Sequence, residues 1–140
     1  MTAEPRVFVD TNIIFYSLDT DAGDKNTRAR DLIEQLWSSR SGAISTQVLS
    51  ELAVNLRRKR DLPWREVAAV VESYLAWPTV PLESFDTLEA IRIADIQRIG
   101  YWDALILRAA IKSGASTLLT EDLNHGQIIE QIEIVDPFHA

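Results

Sequence analysis

Val7-Phe8-Val9-Asp10-Thr11-Asn12-Ile13 is the stretch on which the fold turns. A short run of β-branched and aromatic residues ends on a carboxylate and passes at once into an apolar stretch, Ile13 to Leu18, that suits a short helix. That is the pattern of a first strand feeding a helix. Met1 to Pro5, ahead of it, is short and polar, which predicts a chain that starts on its first strand and carries no secretory leader.

Outward from this stretch, short apolar runs alternate with helical periods, the mark of β-α units around a mostly parallel sheet. After a polar loop, Asp19 to Asp24, a helix is predicted over Lys25 to Ser38, with Ala29, Leu32, Ile33, Leu36 and Trp37 on one face. Gly42 to Ser45 reads as a second strand, leading into a helix over Gln47 to Arg60 whose buried stripe is Val48, Leu49, Leu52 and Leu56. Asp61-Leu62-Pro63 breaks the chain, and Pro63 suits the start of a helix carrying Val67, Val70, Val71, Tyr74 and Leu75. Thr79 to Leu82 is a short strand whose prolines imply that it is clipped or lies at a sheet edge. Two helices follow, one capped by Ser84 or Asp86 and ended by Gly100, the other over Trp102 to Lys112 and ended by Gly114. Ser116 to Thr120 and Ile132 to Val135 complete the strands. The expected fold is α/β, a three-layer α/β/α arrangement in one domain over residues 1–140.

Composition narrows the chemistry. The chain has 140 residues, 46% hydrophobic and 25% charged, which is ordinary globular usage and enough for a real core. It has no cysteine, so disulfides, thiolate zinc sites and cysteine nucleophiles are excluded. Its two histidines, His125 and His139, lie near the C-terminus, so chemistry must rest on carboxylates. No apolar run reaches the roughly 18–20 residues that span a bilayer, and a cytoplasmic protein is expected. Net charge is −7, yet residues 40–65 hold six Arg or Lys against Glu51 and Asp61, leaving an acidic remainder. One basic edge and an acidic site elsewhere would give that asymmetry.

The acids fall at telling places. Asp10 closes the first strand, Glu51 lies one turn into the helix after the second, Asp103 opens the helix after Gly100, and Asp122 follows the strand ending at Thr120. If the strands are parallel, all four reach the carboxyl edge of the sheet, where open α/β folds bind their ligands. Two carboxylates roughly 6 Å apart repel by about 3 kcal/mol at an effective dielectric near 20. Four together would cost on the order of 10–15 kcal/mol, comparable to the stability of a domain. Such a cluster persists only with bound cations, with protons, or with the acids held apart. An all-oxygen donor set suits Mg²⁺ or Mn²⁺, which in phosphodiester hydrolysis acidifies water and neutralises charge on the phosphate.

At these residues the sequence resembles the PIN-domain family, especially the toxin ribonucleases of type II (VapBC-like) toxin–antitoxin pairs. The resemblance is carried by Val9-Asp10-Thr11-Asn12-Ile13, Ser45-Thr46-Gln47-Val48-Leu49-Ser50-Glu51-Leu52, Tyr101-Trp102-Asp103-Ala104-Leu105-Ile106 and Leu119-Thr120-Glu121-Asp122-Leu123, in family order. It implies an acid quartet of Asp10, Glu51, Asp103 and Asp122, both catalytic and metal-holding, supported by Asn12 and Thr120. It also implies a Mg²⁺ or Mn²⁺ cofactor, an RNA substrate, a homodimer and an antitoxin partner. Glu121 competes with Asp122 for the metal, and motif position favours Asp122.

Plainer roles stand beside these. Asp10 suits a helix cap, Asp103 a helix-dipole acid, Asp122 a turn residue, and Glu51 a solvated helix position. Arg57-Arg58-Lys59-Arg60 reads first as a solvated helix end, with RNA or antitoxin contact as the alternative. Trp37, Trp64, Trp77 and Trp102 suit core or interface packing better than base stacking, and His125 suits a turn. Among rival functions, a phosphoacceptor receiver needs an Asp at a central strand end and a late Lys; here Ser45-Thr46 ends the second strand and no Lys follows Thr120. A haloacid-dehalogenase-like phosphatase needs a second Asp where Asn12 stands. A binding-only module with a degenerate site would lack some of the four acids, all of which are present.

Overall fold

The computed structural model describes residues 5–140. Its centre is β1, Val7–Val9, flanked by β2, Gly42–Ser45, and β4, Thr117–Leu119, both parallel to it. Outside these lie β3, Thr79–Val80, against β2, and β6, Ile132–Val135, against β4. A last strand, β5, Ile128–Ile129, closes the edge antiparallel to β6, giving the order β3-β2-β1-β4-β6-β5. The chain therefore winds one way from β1 through β2 to β3, then returns to β1's other side at β4. The β1/β4 boundary is the switch point of a doubly wound sheet, where a crevice opens outside the carboxyl ends. Phe8, Val9, Ala43, Ile44 and Leu118 are buried on both faces of the sheet, so helices must cover both.

The helices are α1, Thr11–Leu18; α2, Asp24–Ser39; α3, Thr46–Lys59; α4, Trp64–Tyr74; α5, Ser84–Gln97; and α6, Tyr101–Ser113. One group joins α1 to α2 and α3, with α4 on α3; the other pairs α5 with α6, and α6 lies on β2, β3 and β4. The fold class and mostly parallel sheet match the sequence reading, and β3 is the expected edge strand. Three details differ. Helix α1 begins at Thr11, because Asp10 accepts from the Thr11 amide and caps it. At α5 the N-cap is Glu83, neither Ser84 nor Asp86; Asp86 instead accepts from the Glu83 amide at 2.8 Å, as a first-turn acid does. Strand β5 was not foreseen, because its two-residue turn is Glu130-Gln131, both at positive φ (47° and 72°). That turn ordinarily advertises itself with Asn-Gly or Asp-Gly. The polar N-terminal residues read as excluding a leader lie, apart from Pro5, outside the described residues.

Asp86 also fixes α6, which carries Asp103. Its side chain is 1% exposed and accepts from Arg108 Nε at 3.0 Å and Lys112 Nζ at 2.8 Å. Burial alone would raise its pKa; the Lys112, Glu83 and Arg108 contacts outweigh that and hold it at about 2, below the ordinary 3.8. A depressed carboxyl contributes stability that is present above its unfolded value and lost as pH falls through its folded value. Asp86→Ala is expected to cost about 3 kcal/mol by urea unfolding at pH 7, since two cations lose their partner. The difference from wild type should shrink as pH falls from 4 towards 2.

Candidate active site

Strand register builds the first half of the site. Val9 pairs with Leu119, and the Asp10 amide donates to the Leu119 carbonyl at 3.0 Å, so Asp10 and Thr120 leave the sheet side by side. Thr120 Oγ1 donates to Asp10 Oδ2 at 2.8 Å, and the Thr11 amide donates to Oδ1 at 2.7 Å. The same threonine oxygen accepts from the Asp122 amide at 3.1 Å, and Asn12 Nδ2 holds Asp122 Oδ2 at 2.9 Å. Asn12, one residue into α1, thus ties the end of β1 to the loop after β4. Its own Oδ1 is buried without a partner.

The second half arrives on helices. Ser45 caps α3 by accepting from the Val48 amide, which sets Glu51 over the crevice. Gly100 leads into α6 and places Asp103 in its first turn. Asp10, Glu51 and Asp122 line a cleft of about 330 Å³ together with Asn12, Tyr16 and Asn55. Asp103 does not line this cleft, and what links it to the other acids is mutual repulsion with Glu51 and Asp122. Burial raises Asp10 most, and its two hydrogen bonds pull back, but with Asp122 and Glu51 adding repulsion the carboxyl is held at about 7. Burial also raises Glu51, with Asp103 and Asp122 adding to it and Gln47 opposing. Burial and then Asp122 raise Asp103. Asp122 is raised by burial and by Glu121 and Asp136, against Asn12 and Lys25. The four acids therefore form one electrostatic unit.

Glu121 and Asp122 are distinguished by their partners. Glu121 also lines the cleft, and its oxygens accept from Tyr16 Oη at 2.7 Å and from Lys25 Nζ at 2.8 Å, so a lysine already balances its charge. Asp122 has only the Asn12 amide and keeps acceptor capacity towards the cleft. His125 stands apart on an exposed turn, where its Nδ1 accepts from the Asp136 amide and its ring stacks on His139. In the basic run, Arg60 is bound to Asp19 and Asp21, Arg57 lies against Asp61 and the Leu62 carbonyl, and Arg58 is exposed. Only Lys59 of the four lines the cleft. Sequence reasoning missed Asn55, which with Glu51 and Lys59 repeats every fourth residue along α3, a spacing that would have found it. It also missed Asp136, which follows β6 as Asp10 follows β1. Of the tryptophans, Trp77 is buried against Trp37 and Tyr74, but Trp64 and Trp102 are 60% and 67% exposed, which removes the core half of the core-or-interface packing expected of them.

The donor set fits a hard divalent cation. It is all oxygen, its carboxyls are raised by burial and further by one another, and the buried Asn12 Oδ1 lacks a partner. Among the described residues no three carboxylates already stand in ligating arrangement, so a cation would have to draw them in.

Comparison with known proteins bears on this geometry. The sequence matches the PIN-domain family profile over residues 7–130. Similar solved structures include a toxin–antitoxin complex from Klebsiella pneumoniae, 17% identical with a TM-score of 0.68, covering 96% of this chain and 99% of that one. DNA-bound VapBC from Salmonella typhimurium is 21% identical with a TM-score of 0.67 over the same shares, 96% and 99%. VapC20 from Mycobacterium tuberculosis, described as a toxin cleaving the sarcin–ricin loop, is 19% identical with a TM-score of 0.62, covering 80% and 86%. At these identities the structures establish a shared fold. Comparison with curated proteins returned no match.

A carboxyl raised above its unfolded value opposes folding where it is charged, and that opposition fades as pH falls through the folded pKa towards the unfolded one. Asp10 at about 7 against 3.8 disfavours the fold above pH 7 by on the order of 4 kcal/mol. Without divalent ions, the protein should therefore gain stability from pH 8 to pH 5 in urea unfolding. Asp10→Asn should flatten that slope, and Mn²⁺ at pH 8 should replace most of the missing stability.

Proposed function

This chain belongs to the PIN-domain family, and from that premise we propose that it is a metal-dependent endoribonuclease, the toxin of a toxin–antitoxin pair. The observation that carries the proposal is Asp10: a carboxyl at the sheet's switch point, held by two hydrogen bonds and raised first by its burial and then by Asp122 and Glu51. Asp10, Glu51, Asp103 and Asp122 are assigned as catalytic residues and as the ligands of Mg²⁺ or Mn²⁺. When bound there, such an ion acidifies water and offsets the charge that builds on the phosphate and the departing oxygen.

The protein's own groups set the conditions for that chemistry. Asp10 gives up its proton as a cation approaches, because the charge that disfavoured ionisation is then compensated. Thr120 and the Thr11 amide fix the orientation of Asp10, and Asn12 aims Asp122, so few rotamers remain to be frozen on binding. Lys59, at the cleft wall, offers a cation to the RNA backbone in an otherwise acidic site. Lys25 and Tyr16 keep Glu121 occupied, which holds a fifth negative charge off the metal.

The partners follow from the same reading. An RNA strand is the substrate, with a homodimer and a separately encoded antitoxin as protein partners. The similar structures that are toxin–antitoxin complexes support the antitoxin. Helix α5 supports a protein contact, since Phe85, Leu88 and Ile91 lie exposed along it. Among the described residues no helix is long and apolar enough to cross a membrane, and the proposed site of action is the cytoplasm.

The test is cleavage of a mixed RNA pool by purified protein with Mg²⁺, with Mn²⁺ and with chelator. Cuts should require the metal and vanish in Asp10→Asn. Thr120→Val and Asn12→Ala should each lower activity by about 10–100-fold, in part recovered at higher metal concentration. Folded, metal-loaded protein that cuts no RNA in the pool contradicts the proposal.

A further inference from the structure

Glu51 borders two cavities. One is the acid cleft; the other, about 520 Å³, lies on its far side and is walled mainly by Leu82, Trp102 and Leu105, with Gln47 and Ser50 as polar members. A mostly apolar pocket of this size with a few polar groups is the general form of a small-molecule subsite. Trp102 immediately precedes Asp103, so the pocket and the acids are built by the same turn of α6 and the same turns of α3.

Two features of the pocket lack an internal explanation. Trp102 is 67% exposed, with its indole edge-to-face against Tyr101 and otherwise uncovered by the core. Gln47 donates from Nε2 to the Trp102 carbonyl at 3.4 Å, while its Oε1 is buried with no partner. A buried acceptor left unmade is costly, and it is satisfied by an N–H donor. An exposed indole beside such an acceptor suits a flat aromatic ligand that carries N–H groups on its edge. Nucleobases are of that class, and stacking on aromatic side chains is how unpaired bases are held.

We propose that this cavity is a nucleobase subsite: it takes an unpaired base next to the phosphate that is cut, with Trp102 as its stacking surface and the Gln47 amide turning its buried Oε1 outward to accept a base N–H. The inference rests on the nuclease reading for the word "cut", and otherwise stands on the pocket alone. It makes single-stranded or loop RNA the substrate form, because a paired base is held in its stack and cannot lie on the indole inside the pocket.

The experiment measures binding and cleavage of short labelled single-stranded RNAs by the full chain, with Ca²⁺ for binding and Mn²⁺ for cleavage. One abasic residue is moved along the strand. Trp102→Ala should weaken binding of intact RNA by on the order of 10-fold, appearing in KM more than in kcat, and Trp102→Phe should recover most of it. At one abasic position wild type and Trp102→Ala should bind equally, because the base they differ over is gone. Gln47→Leu should lose discrimination among bases at that position. Equal loss on intact and abasic strands overturns the subsite, as does a Trp102→Ala change from dimer to monomer by light scattering with no abasic-specific effect, which assigns the indole to a second copy. Base-specific binding without any cleavage leaves the subsite standing and removes the nuclease; cleavage without the abasic signature does the reverse. No binding of any strand removes both.

Discussion

Negative charge crowded at the carboxyl edge of a parallel sheet is the constraint around which the rest of the structure is arranged. Each of Asp10, Glu51, Asp103 and Asp122 is raised above its ordinary pKa, first by burial, with neighbouring acids adding to it. A fold that places them so gives up stability in its metal-free form, and the surrounding contacts limit that loss. Asp10 is held by Thr120 and the Thr11 amide, and Asp122 by Asn12. Glu121 is neutralised by Lys25 and bonded to Tyr16. The α5–α6 pair that delivers Asp103 is locked by a different acid, Asp86, whose two cations depress it. One carboxyl is thus depressed by its two cations, while the four at the sheet edge are raised.

Topology explains why these residues meet although more than a hundred positions separate Asp10 from Asp122. A doubly wound sheet reverses direction between β1 and β4, so the first and fourth strands end side by side with nothing between them. Helix α3 covers one flank of that crevice and α6 the other. The same two helices wall the apolar pocket on the far side of Glu51. Chemistry and the recognition proposed for it are therefore set by two helix starts, which is a compact way to keep a base and its phosphate in register.

Much of this was legible in the sequence because the signals were local. Val7-Phe8-Val9-Asp10 shows a strand ending on an acid, and the same logic located Thr120 and Asp122. The acid quartet follows from that pattern together with the family motifs. What escaped was set by geometry without a local mark. The β5–β6 hairpin turns on Glu130-Gln131, a pair with no turn signature. Asp136 sits after the last strand and reaches Asp122 only because β6 lies beside β4. The contacts that set Glu121 apart from Asp122 come from Tyr16 and Lys25, about a hundred residues away. Trp102 read as a packing residue because its neighbours are apolar, and only the fold shows which side of α6 it leaves uncovered.

The central claim is that the acid cluster is a site for a divalent cation. Calorimetric titration of the purified protein with Mn²⁺ at pH 7, in two buffers of different ionisation enthalpy, tests it most directly. Saturable binding with release of a fraction of a proton is predicted, since a carboxyl raised to about 7 is partly protonated at that pH. Asp10→Asn is predicted to lose both the tight binding and the proton release. A folded wild-type protein that takes up no Mn²⁺, or takes it up equally well without Asp10, contradicts the claim.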